Sequence, residues 1–161
     1  MAFEIREYRE EDLPALAEHC RRGVKAWPSG FTMGGDFSPE GIREWLLKSS
    51  YLDVWLAWSG DDVVGVLKYC RYFNDPECTY VDFLQVQPDF HGKGIGKALL
   101  IICVDKAIGE GVKRLDLNTW AANTKAVPLY KRTGFFWRPR QSWVHMYNFF
   151  PLVLSNPLVK N

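Results

Sequence analysis

The sequence predicts an α/β (α+β) domain with a central, mostly antiparallel sheet of about seven strands flanked by about four helices. Three observations predict it. Seven short segments of strand character are separated by turn residues, and four stretches carry apolar residues at helical spacing. A glycine-rich junction passes one strand directly into the longest of those helices. A chain of 161 residues is the size of one such domain.

Residues 3–9 alternate apolar and polar side chains and form the first predicted strand. Asp12-Leu13-Pro14 then has the form of a helix entry, with Leu13, Leu16, Ala17, Cys20 and Val24 at helical spacing. Pro28, Gly30, Gly34 and Gly35 mark a flexible connection before Ser38-Pro39, a cap and first-turn pair that opens a second helix with Ile42, Trp45 and Leu46. Residues 51–58 and 63–73 form a hairpin about Gly60-Asp61-Asp62, and Asn74-Asp75-Pro76 turns the chain into a further strand at 79–87. On that strand a period of two puts Tyr80, Asp82, Leu84 and Val86 on one face and Val81, Phe83, Gln85 and Gln87 on the other. Ile95, Ala98, Leu99, Ile102, Cys103 and Lys106 trace a long helix buried on one side, ending near Gly109 and Gly111. A strand at 112–118, a short helix at 123–132 with Pro128 inside it and Gly134 closing it, and aromatic strands at 135–138 and 142–150 finish the sheet. Residues 1–150 are thus read as the domain. The tail 151–161 is too apolar for a free end and is read as a docking or homodimer segment.

Composition removes several function classes. Hydrophobic residues make up 47% of the chain, enough for a packed core and too many for a disordered one. Twenty basic against nineteen acidic residues leave a net charge of +1, without the basic face that nucleic acid requires. The longest apolar run, 98–104, stops at Asp105, far short of a membrane span. Residues 1–10 lack the basic start and apolar stretch of a secretion signal, so the expected location is cytoplasmic. Cys20, Cys70, Cys78 and Cys103 form no C-x-x-C pair and read as reduced, buried thiols. His19, His91 and His145 do not cluster with them in sequence, so no metal site is expected.

The junction Val86-Gln87-Pro88 to His91-Gly92-Lys93-Gly94-Ile95-Gly96-Lys97 carries the chemistry. A strand that opens into a helix through alternating glycines leaves backbone N–H groups unpaired at the positive end of a helix dipole, a geometry suited to phosphate or pyrophosphate. The glycines let the backbone approach an anion, and Lys93 and Lys97 add positive charge. The ATP-type loop G-x-x-x-x-G-K-[ST] fails at His91 and at Ala98, and the dinucleotide fingerprint G-x-G-x-x-G fails at Lys97 from Gly92 and at Leu99 from Gly94.

Residues 83–100 (FLQVQPDFHGKGIGKALL) resemble the V-x-P and [QR]-x-x-G-x-[GA] acetyl-CoA loop of the GCN5-related N-acetyltransferases. Residues 123–135 are similar to that family's second signature, N-x-x-A-x-x-L-Y-x-x-x-G-F, one helix and one strand further on. The order of elements resembles the family's mixed sheet, so the likeness extends over 3–150. His91 departs from it, standing where the family has Gln or Arg, and makes the side-chain contribution pH dependent.

The resemblance implies an enzyme that transfers an acetyl group from acetyl-CoA to a primary amine of a small molecule or peptide, with no metal. It places the pyrophosphate on the amides of residues 91–97 and the pantetheine arm along the backbone of Leu84 and Val86, with Leu84 N–H at the thioester oxygen. Tyr130 matches the family's general acid, and Asn123 matches the residue that orients the cofactor or caps the helix. Tyr130 also reads as a packing aromatic. Asp82 is the first candidate for the base, Tyr80 the second, and a structural ion pair is the competing reading of Asp82. Trp27 and Trp120 are candidates for an acceptor pocket, against the plainer reading of core aromatics. The alternative function is an acyl-CoA-sensing module without turnover.

Overall fold

The computed structural model describes residues 2–24, 35–48, 51–71, 75–119, 123–137 and 145–149. The strands are β1 (Glu4–Glu7), β2 (Tyr51–Ser59), β3 (Asp62–Arg71), β4 (Cys78–Val86), β5 (Arg114–Asn118), β6 (Phe136–Trp137) and β7 (His145–Phe149), and the helices are α1 (Leu13–Gly23), α2 (Pro39–Lys48), α3 (Ile95–Gly109) and α4 (Ala126–Arg132). The seven strands form one sheet in the order β1-β2-β3-β4-β5-β7-β6. Every neighbouring pair is antiparallel except β4 and β5. Parallel neighbours need a crossover, and α3 supplies it.

The sheet divides two apolar cores. On one side Leu13, Leu16, Ala17 and Cys20 of α1 and Ile42 and Leu46 of α2 pack on Val54, Leu56, Val63 and Val66. On the other, Ile95, Leu99, Leu100, Cys103 and Ala107 of α3 pack on Val64, Leu67, Tyr69, Val81, Leu115 and Leu117, with Tyr130 of α4. Strand β3 feeds both cores and is buried from Val63 to Cys70, which explains its nearly continuous apolar sequence. Burying a Leu or Val side chain contributes about 1.5–3 kcal/mol, so these two layers supply most of what orders the chain.

Strand β4 departs from the predicted alternation. Lys68 faces Phe83 and Tyr69 faces Val81, so Asp82 is one residue too many for β3 and forms a bulge. Val81 therefore packs in the same core as Leu84 and Val86, while Phe83 belongs to the opposite one. The expected sharing of a face by Asp82 and Leu84 is corrected by this bulge. The β4–β5 pairing runs from Cys78↔Arg114 to Val81↔Leu117 and stops there. Beyond Val81 the two strands part, leaving a fork.

Candidate active site

The fork exposes one edge of β4. Gln87 N–H donates to the Val64 carbonyl at 2.9 Å, so the backbone groups of Gln87 and Gln85 face β3. Those of Leu84 and Val86 face the other way, into the fork. This is the placement expected for an arm that adds to β4 as a strand. The Leu84 and Val86 side chains meanwhile pack against the α3 core.

The chain leaves β4 through a short turn, Pro88–Phe90, and reaches α3 through a loop in which Gly92 and Gly94 have φ of 77° and 83°. Positive φ at both positions is what requires glycine there. The first helical hydrogen bond of α3 runs from Ala98 N–H to the Gly94 carbonyl at 3.0 Å. The amides of Gly92, Lys93, Gly94, Ile95, Gly96 and Lys97 donate to no group among the described residues. A Cβ at Gly92 or Gly94 would meet nothing within 4 Å, so the loop presents its backbone to open space. At Gly96 a Cβ would lie 3.2 Å from Leu129 of α4 and 3.7 Å from Val86, which shows how closely the first turn of α3 is seated.

Two side chains of the loop, those of Lys93 and His91, are already engaged. Lys93 donates to the Asp89 carbonyl at 2.8 Å and lies 4.5 Å from the centre of the Phe90 ring, so its ammonium folds back on its own turn. His91 places Nε2 at 2.8 Å from the Val86 carbonyl, a contact in which Nε2–H donates. The amide cradle is thus open, whereas one of the carbonyls on the fork edge is covered by an imidazole. Sequence reasoning missed that contact, which depends on the turn at Pro88 folding back on β4.

Tyr130 enters from α4, with its ring edge-on to Phe135 at a centroid distance of 6.2 Å. Only 8% of the residue is exposed, and burial pushes the phenol up to about 12. Its hydroxyl has no hydrogen-bond partner among the described residues, so its proton is uncommitted. Asn123 is committed at both ends: its Oδ1 accepts from Ala126 N–H at 3.1 Å and its Nδ2 donates to Thr119 Oγ1 at 3.0 Å. The first contact closes the turn that precedes α4, and the second ties that turn to the residue after β5.

Asp82 Oδ2 sits 3.2 Å from Lys68 Nζ. Lys68 is fully buried, donates to the Trp45 carbonyl at 2.9 Å and stacks on the Trp45 ring at 4.2 Å. The carboxylate therefore lies on the Trp45 side of the sheet as the counter-ion of a buried ammonium, which favours the ion-pair reading over that of a base. One signal could have revealed the partner: Lys68 is a single charge inside the apolar run 63–70, and a buried charge needs a counter-ion. Tyr80 is half-buried and opposes Asp116 across the β4–β5 pair. Trp27, Trp120 and the tail 151–161 lie outside the described residues. No group of three or more potential metal ligands occurs among the described residues. Two shallow clefts, of about 440 and 420 Å³, lie elsewhere, beside Ile5 and Trp55 and beside Arg71 and Val112.

A parallel strand pair that opens beside an unpartnered amide cradle defines a protein able to take a long ligand with an anionic end. The chain belongs to the Acetyltransferase (GNAT) family, whose model matches residues 15–135. It is 26% identical over 83 residues to the uncharacterized N-acetyltransferase YvbK of Bacillus subtilis, covering 52% of each chain. It is 44% identical over 52 residues to a mycothiol acetyltransferase of Propionibacterium freudenreichii, covering 32% of this chain and 17% of that one. The matched stretches thus span about half or less of these relatives. Among solved structures, the PaiA N-acetyltransferase of Thermoplasma acidophilum in complex with coenzyme A has the same fold, with a TM-score of 0.76, 20% identity and coverage of 93% of this chain and 100% of that one.

Proposed function

We propose that this protein is an acetyl-CoA-dependent N-acetyltransferase whose acceptor is a primary amine of a small molecule or peptide. The observation that carries the reading is the run of amides from Gly92 to Lys97, which has no acceptor among the described residues and stands at the N-terminus of α3 beside the open edge of β4. A diphosphate accepts from such amides, with the helix dipole favouring its charge. The fork edge at Leu84 and Val86 offers backbone groups to the amides of the pantetheine arm. The family relationship and the coenzyme A complex of the PaiA relative support the same ligand.

CoA supplies the thioester. Within the protein, Leu84 N–H, on the open edge of β4, would donate to the thioester oxygen and stabilise the charge that develops there as the amine nitrogen attacks the carbonyl carbon. The acceptor ammonium first releases a proton to water at the mouth of the fork. Nitrogen–carbon bond formation is followed by cleavage of the carbon–sulfur bond. Tyr130, held protonated by burial, donates its proton to the departing thiolate and recovers one from the new amide nitrogen. Asp82 serves as the counter-ion of Lys68.

The test is CoA release followed with a thiol reagent. Free CoA should appear from acetyl-CoA only when an amine is supplied, together with one equivalent of N-acetyl product. Binding of CoA without release across small amines and peptide N-termini would instead mark a sensing module.

A further inference from the structure

The backbone groups of Leu84 and Val86 face the fork, and one of them is taken by the chain itself. The Val86 carbonyl lies 2.8 Å from His91 Nε2. A carbonyl only accepts, so the imidazole carries a proton on Nε2 and donates it to this bond. The nearby amides of Gly92 to Lys97 donate to no group among the described residues. The two halves of the proposed cofactor site thus stand in different states: the cradle is open and the strand edge is closed.

The turn that delivers the imidazole is fastened through its backbone. Phe90 N–H donates to the Gln87 carbonyl at 2.9 Å, and His91 N–H donates to the Pro88 carbonyl at 3.1 Å. His91 is itself extended, with φ of −63° and ψ of 149°, and it is exposed. Rotation about its side-chain bonds therefore carries the ring into water without moving the loop. A ligand that is a diphosphate alone can enter the cradle and leave the ring where it is. An arm that adds along β4 must bring an N–H to within about 3 Å of the Val86 oxygen, where the ring nitrogen now stands.

We propose that His91 is a latch on the pantetheine edge: its imidazole closes the Val86 carbonyl while no arm is bound, and swings away when an arm carrying an amide N–H adds to β4. The inference rests on the acyltransfer reading and adds a conformational step to its cofactor binding. The latch keeps part of an open strand edge from facing water, where it would template pairing with another chain. Its effect falls on the arm, because the hydrogen bond gained at Val86 is offset by the one broken at His91.

CoA and adenosine 3′-phosphate 5′-diphosphate, its nucleotide half without the pantetheine arm, separate the two halves of the site. Both are titrated calorimetrically into the unaltered protein and into His91→Ala, a change at an exposed position. Removing the imidazole should tighten CoA about threefold to tenfold, the size of one net hydrogen bond, and leave the nucleotide within about twofold. An unmoved or weakened CoA affinity overturns the proposal: the first marks a carbonyl shared by ring and arm, the second an imidazole that binds the ligand. Equal tightening of both ligands also overturns it, since the ring would then obstruct the cradle. The imidazole is observed directly by nitrogen-15 NMR. The His91 Nε2 resonance should shift with CoA and stay in place with the nucleotide, and the same response to both ligands removes the latch. If neither ligand binds the unaltered protein, the cofactor reading and this inference fall together, whereas binding of both with an unmoved affinity ratio in His91→Ala overturns this inference alone.

Discussion

The phenol of Tyr130 is set in a core where its ring meets Phe135 edge-on, and burial raises its pKa to about 12, so it is protonated throughout the range in which an acetyltransferase assay is run. A proton donor of this kind contributes about a hundredfold or more to a reaction that expels a thiolate. Tyr130→Phe keeps the ring and its packing and removes the proton. Its kcat should fall about a hundredfold while the affinity for CoA, measured by calorimetry, stays within about threefold. Equal losses in both would make Tyr130 a packing residue. The sequence singles out Tyr130 through a local pattern, the segment 123–135. Asp82 was misplaced for the opposite reason. A bulge forms when the partner strand offers one residue too few, and nothing in residues 79–87 records how β3 pairs with them.

Helix α1 is fastened to the sheet through His19, which has no exposed surface. Its Nδ1 lies 3.0 Å from the Val63 carbonyl, and Gln87 Nε2 donates to the His19 carbonyl at 2.8 Å, joining α1 to β3 and to the end of β4. Among the described residues Nε2 of the ring has no hydrogen-bond partner, so protonation would put an unmatched charge in the core. Burial accordingly lowers the pKa from 6.5 to about 4, against smaller opposing effects of the Val63 carbonyl and the Gln85 side chain. Since the folded pKa lies below the unfolded one, the unfolded chain takes the proton first. The stability present above pH 6.5 is lost as pH falls toward 4, by up to about 3 kcal/mol. Urea denaturation at pH 7 and pH 4.5 should therefore show a steeper decline for the unaltered protein than for His19→Gln, and matching declines would remove His19 from the acid response. The elements themselves were largely legible: the α3 periodicity, the β2–β3 hairpin and the glycine loop are all local patterns. The start of α4 was not. Asn123 caps a preceding turn and the helix begins at Ala126, which places Pro128 in its first turn, where its missing N–H costs nothing.

Four parallel rungs, from Cys78↔Arg114 to Val81↔Leu117, hold the two halves of the sheet together, and the remainder of β4 runs past β5 unpaired. A ligand that adds along that edge and ends on the α3 amides would supply the contacts that β5 does not. It would bind the folded chain and not the unfolded one, so mass action makes the binding visible as stability. CoA at a hundred times its Kd should contribute about 2.7 kcal/mol, and a chain of this length gains about 2–4 °C per kcal/mol, giving a rise in Tm of about 5–10 °C. Gly94→Val separates the two halves of this prediction. At φ 83° a branched side chain strains the loop and stands in the open space over the amides, without touching any protein atom within 4 Å of its Cβ. The variant should melt slightly below the unaltered protein and show no rise in Tm with CoA. A rise of the same size in Gly94→Val would place the diphosphate away from this loop, and the open edge of β4 would then need another ligand.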